Sequence, residues 1–172
     1  MLKRRPSPFV PILAASLATG CELFDTSSLS DKAIRTEKLQ CEAKNVGADL
    51  EIIASAPVLE VAGQYSSHTS GVSQVFATRV TIRPPDGVSV DRMTRVLQCH
   101  SARRLLARGD APLANDPYFL PDVWLSISVR EEQGNFVAVI AADSVADNLR
   151  VFQRAKAFAA AQSAALPPAP AM

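Results

Sequence analysis

Residues 75–84 read VFATRVTIRP, and the period of this stretch decides the fold. Phe76, Thr78, Val80 and Ile82 alternate with Ala77, Arg79 and Thr81. Apolar residues at every second position predict a strand with one half-buried face, since a helix would repeat its apolar side chains every three to four residues. The earlier VLEVAGQY (58–65) has the same β character, and the polar SSHTSGVSQ between them contains one glycine, so the two predict a hairpin. LEIIAS (50–55) reads as an extension of that sheet or a lead into it.

Downstream, RPPDGVSV (83–90) breaks the strand with two prolines and an Asp-Gly turn. Ser89 then predicts the cap of a helix running to about residue 107. At 100° per residue Val90, Met93, Val96, Leu97 and His100 share one face, with Arg92, Arg95 and Arg103 to the other side. After the loop GDAPLANDPYFLPD, the segment VWLSISVR alternates Val123, Leu125, Ile127 and Val129 with Trp124, Ser126 and Ser128. EEQGN turns the chain and FVAVIAA returns it as a second hairpin. Ser144 with Asp147 resembles a capping box for a last helix striped by Val145, Leu149 and Phe152. Upstream of both hairpins, Ser30 predicts the cap of a first helix stopping at Gly47, on which Ile34 and Cys41 share a face.

The expected order is therefore α-ββ-α-ββ-α. That order predicts an α+β two-layer sandwich, with an antiparallel sheet of about four strands and helices on one face. Its expected extent is residues 31–162, preceded by a tether at 21–30 and followed by an Ala/Pro tail at 163–172 that reads as disordered.

The first 20 residues are excluded from that domain. Lys3, Arg4 and Arg5 precede an uncharged apolar stretch from Pro8 to Leu17, the layout of a secretory signal peptide. The segment ends Leu17-Ala18-Thr19-Gly20-Cys21, which resembles the lipobox of bacterial lipoproteins, with Ala18 standing where that family prefers Leu. The resemblance covers about the first 21 residues. It implies cleavage before Cys21, lipidation of Cys21 and a membrane anchor, and Glu22 in place of Asp implies sorting to the outer membrane, with the domain in the periplasm. Acyl chains contribute roughly 0.8 kcal/mol per buried methylene, so several together anchor a domain durably. With the leader removed, the 18 basic residues lose three members against 17 acidic ones. The remainder is slightly acidic and carries no footprint of a nucleic-acid binder.

Assigning Cys21 to lipid makes the other cysteines an even pair. In an oxidising envelope Cys41 and Cys99 then read as a disulfide, the alternative being two buried free thiols.

Few residues suggest catalysis. GxSxG, HExxH, P-loop and GxGxxG patterns are missing from the sequence, and there are only two histidines. Cys99 and His100 are neighbours, but adjacent helical side chains point about 100° apart and grip one ion poorly. His100 therefore reads as a core or boundary histidine, and no cofactor is expected. Asp91, Asp110, Asp116, Asp122 and Asp143 fit caps and turns. The loop NDPYFLPDVW gathers Tyr118, Phe119, Leu120 and Trp124 between Pro117 and Pro121. Rigid aromatic loops serve as partner hot spots, so these four are the expected partner-binding residues, unless the loop folds back to plug the core. Arg92, Arg95, Arg103 and Arg104 sit mostly on an exposed side of the helix that Ser89 caps and read as a solvated face, with anionic headgroups as a second use. The whole predicts a membrane-anchored interaction module whose partner is another envelope protein. A metal- or redox-responsive protein using Cys99 and His100 is the alternative, and an enzyme with a carboxylate site the third reading.

Overall fold

The computed structural model describes residues 28–41, 46–67, 73–107, 113 and 115–165. Two helices come first, α1 (Leu29–Gln40) and α2 (Val46–Ser55). The hairpin β1 (Val58–Ser67) and β2 (Ser73–Ile82) follows, then α3 (Val90–Ala107). A second hairpin, β3 (Ser126–Glu132) and β4 (Asn135–Ala141), leads into α4 (Val145–Ala165). The fold is α+β with one open four-stranded sheet in the order β1-β2-β4-β3, every neighbouring pair antiparallel.

The two hairpins meet along β2 and β4. Val80 pairs with Ala138 and Ile82 with Phe136, and these join Ile127, Ile140 and Thr78 on one face. Met93, Val96 and Leu97 of α3 and Val151 and Ala155 of α4 pack on that same face, all buried. The core is thus a single layer between the sheet and two helices, as period-two strands facing 3.6-period helices require. Among the described residues no helix covers the opposite face. There Arg79 bonds Glu132 at 2.8 Å, Glu132 also takes the Nε of Arg130, and Val137 between Thr81 and Arg130 is buried.

Several local expectations are corrected. The first helix is two: α1 starts two residues early, where the Ser28 hydroxyl accepts the Asp31 N–H at 3.2 Å and the Asp31 carboxylate accepts the Ser28 N–H. LEIIAS belongs to α2, because Ile53 and Ala56 lie three apart and bury together against the core. Gly47 sits in its first turn, exposed to open space, so it ends nothing. Ile34 is 52% exposed, and Ala33 is the residue α1 buries.

Phe76, expected on the buried face with Thr78, is 46% exposed. The register explains it. Gln64 pairs with Ala77 but Tyr65 pairs with Val75, so Phe76 is the unmatched residue of a β-bulge, which tips it out of the alternation. At the far end, α4 continues to Ala165, so Ser163, Ala164 and Ala165, read as tail, are helical.

The turns follow their sequence signals. Glu132 pairs with Asn135 around Gln133 and Gly134, both at positive φ (51° and 76°), the two-residue turn whose twist matches a right-twisted hairpin. Ser89 accepts the Arg92 N–H at 3.3 Å and Ser144 accepts the Asp147 N–H at 3.0 Å, capping α3 and α4.

Candidate functional site

The polar centre of the molecule is the buried pair His100 and Asp116. His100 stands on the core face of α3, one turn after Val96 and Leu97, with 4% of its side chain exposed; Asp116 has none exposed. His100 Nε2 lies 2.5 Å from Asp116 Oδ2, and the other carboxylate oxygen accepts the Tyr118 N–H at 2.9 Å. The Asp116 carbonyl accepts the Arg154 Nε–H from α4, also at 2.9 Å. Asp116 therefore ties the connection after α3 to both helices of the core layer.

That tie folds the aromatic loop inward. Tyr118, Phe119 and Leu120 are 2%, 3% and 0% exposed, and the Tyr118 ring meets Phe158 of α4 edge to face at 6.4 Å. Burial, then the nearby Asp116 carboxylate, pushes the Tyr118 phenol well above its ordinary range. The loop is the plug of the core, and its first three aromatic-loop residues are corrected from partner-binding to packing residues. The reason is the Asp116 tie: with its carboxylate held on buried His100 and on the Tyr118 N–H, the three large apolar side chains are drawn over the core, where their burial is favourable. Asn115 and Asp122, on either side of the plug, both take left-handed backbone (φ 56° and 59°), and Leu120 and Val123 form a bridge that closes it.

Trp124 is the one expected partner residue that keeps an exposed side, and it is half-buried. It lines a cleft of about 370 Å³ between the first turns of α1 and α4, with Leu29, Lys32, Asp122, Asp143 and Asp147. It also lines a narrower cleft of about 180 Å³ between α1 and β3, with Thr36, Gln40 and Ser126. The Ser144 hydroxyl, donating to Asp147 at 2.6 Å, and then Arg150 hold the Asp147 carboxyl below its usual value.

The sulfurs of Cys41 and Cys99 are at disulfide distance, with Cα atoms 5.5 Å apart. The pair joins the C-cap of α1 to the middle of α3. Arg103 of α3 reinforces the junction, bonding Asp49 of α2 at 3.2 Å and lying 4.0 Å from Glu37 of α1. Arg103, read as part of a solvated face, is thus an internal tie; Arg92 and Arg95 are exposed. Cys99 is spoken for by Cys41 and the Nε2 of His100 by Asp116, so these neighbours do not converge on a shared ion. Among the described residues no three His, Cys, Asp or Glu side chains group as metal ligands, and no helix is long and apolar enough to cross a membrane. Cys21 and His68 lie outside the described residues.

Sequence reasoning missed the role of Asp116, which it took for a turn residue. The only available signal was a buried-face His on α3 needing a partner. Compared with known proteins, the chain matches no family model, no curated protein and no solved structure.

Proposed function

We propose that the protein is a bacterial envelope lipoprotein, anchored by lipid on Cys21, whose domain acts as an interaction module in the periplasm. The observation that carries this reading is the Cys41–Cys99 pairing. It fits an oxidising compartment, and it leaves Cys21, at the end of an apolar leader, as the cysteine without a sulfur partner in this scheme. The outer membrane is the expected site and another envelope protein the expected partner. The eight steps from Cys21 to Leu29 span at most about 28 Å, so the Trp124 cleft that Leu29 lines faces a partner close to the membrane.

Two measurements test the reading. Cells fed a clickable fatty acid should label the wild-type chain and leave Cys21→Ala unlabelled; equal signal from both refutes the anchor. Crosslinking in intact cells should yield partners for the wild type that Trp124→Ala loses. An unchanged partner set would remove Trp124 from the contact surface.

A further inference from the structure

The two edges of the sheet differ in how they are guarded. At the β3 edge the side-chain amide of Gln98 donates to the Ile127 carbonyl at 2.8 Å, and Thr36 and Gln40 of α1 stand across a narrow cleft from Ser126 and Ile127. Beyond Ser128 and Val129, β3 ends in Arg130, Glu131 and Glu132, charges of the kind that discourage strand pairing. Among the described residues the β1 edge is much less guarded along its length. Between Val58 and Ser67 it contains one charged residue, Glu60, and neither proline nor lysine. Among the described residues only its first N–H is capped, Val58 donating to the Gln162 side chain at 2.9 Å. Leu59 and Tyr65 on this strand are 46% and 55% exposed.

We infer that β1 is the contact surface for a second copy of this chain, the two β1 strands pairing antiparallel about Ala62. The strand is self-complementary about that residue. A two-fold axis there sets Glu60 opposite Gln64 of the second copy, Val61 opposite Gly63, and exposed Leu59 opposite exposed Tyr65. Such an axis suits an antiparallel pair whether the groups of Ala62 point toward the neighbour or away, since hydrogen-bonded and non-hydrogen-bonded pairs alternate. Val61 also gains an aromatic contact: the Tyr65 ring lies across Gly63, where an added Cβ would come within 3.0 Å of it.

The register of β1 on β2 limits the contact. Glu60 to Gln64 pair regularly with β2, and shifts lie on both sides, between Val58 and Glu60 and between Gln64 and Tyr65. Five regular residues flanked by bulges suit one short, symmetric pairing. The guarded β3 strands become the outer edges of the eight-stranded sheet, so the assembly closes at two copies and does not extend.

Sedimentation of the purified full-length chain tests the inference, with charge variants on the exposed strand. The wild type should show a reversible monomer–dimer equilibrium. Gln64→Lys, facing Glu60 twice across the axis, should tighten it on the order of fivefold. Glu60→Lys with Gln64→Lys should loosen it by a similar factor, because lysine then faces lysine. A merely weakened fold would not tighten in the first variant. Ala62→Cys should give a covalent dimer on mild oxidation that Ser128→Cys on β3 does not. A chain that stays monomeric at every concentration overturns the inference. So does a dimer that ignores both charge variants and fails to link at residue 62.

Discussion

His100 Nε2 and Asp116 Oδ2 sit 2.5 Å apart with both side chains closed off from solvent, sixteen residues apart in the chain. Removing one member leaves polar atoms of the other buried without their partner, which costs about 1–3 kcal/mol. Asp116→Ala should cost the most, since the Tyr118 N–H also loses its acceptor. Asp116→Asn keeps an acceptor oxygen and should cost less. Urea unfolding of the three proteins checks the order, and equal midpoints for wild type and Asp116→Ala would contradict it.

The Cys41–Cys99 pair should be a large single contribution to stability. It closes a separation of 58 residues, for which chain entropy gives roughly 4 kcal/mol before any strain is subtracted. Cys41→Ser with Cys99→Ser should lower the unfolding midpoint. Amide exchange should speed up most in α1, whose one buried residue is Ala33. Uniform acceleration across α3 and the sheet would show that α1 is not separately held.

How much of this could be read from sequence varies by element. The strands could be read because Val80, Ile82 and Ile127 obey their own local period whatever packs on them. Alternation failed at Phe76, where one unmatched residue in the pairing resets the face. α2 was hidden because Leu50, Ile52 and Ile53 are compatible with either periodicity over six residues, and Ala56 beyond them settles the helical one. The plug was misjudged at Tyr118, Phe119 and Leu120. Their composition suits a hot spot and a core equally, and the partner that decides, His100, is remote in sequence.

Alkaline pH should unfold the protein through Tyr118. Its phenol is raised above the ordinary 10.0, so the folded state keeps a proton that the unfolded chain gives up first. The contribution is whole below pH 10.0 and is lost as pH rises toward the folded value. Ultraviolet phenolate absorbance should therefore show one of the two tyrosines titrating together with loss of the fold. Tyr118→Phe should shift that alkaline limit upward. An unchanged limit would place the linkage elsewhere.

Acid acts through other groups. The hydrogen bond from Arg79, then that from Arg130, holds the Glu132 carboxyl below its ordinary value, and Ser144 does the same for Asp147. Depressed carboxyls stabilise the fold above their unfolded values of 4.5 and 3.8, and the contribution is lost as pH falls through the folded ones. Both side chains are on the surface, so the slope should be shallow and weaken with salt. Glu132→Gln and Asp147→Asn should each flatten the acid limb of a stability–pH curve. A steeper limb in either variant would contradict the assignment.

The placement of the Cys41–Cys99 bond also fixes how the domain bears load. Tension applied at Leu29 pulls on a 12-residue helix that can peel from α3 with little apolar surface at stake. Peeling stops at the bond, and the force then enters the middle of an 18-residue helix seated on the sheet. The sheet itself is never the first element pulled. α1 behaves as an extensible leash with a covalent stop: the Trp124 clefts that α1 lines open as it lengthens, while the core and the plug stay at rest.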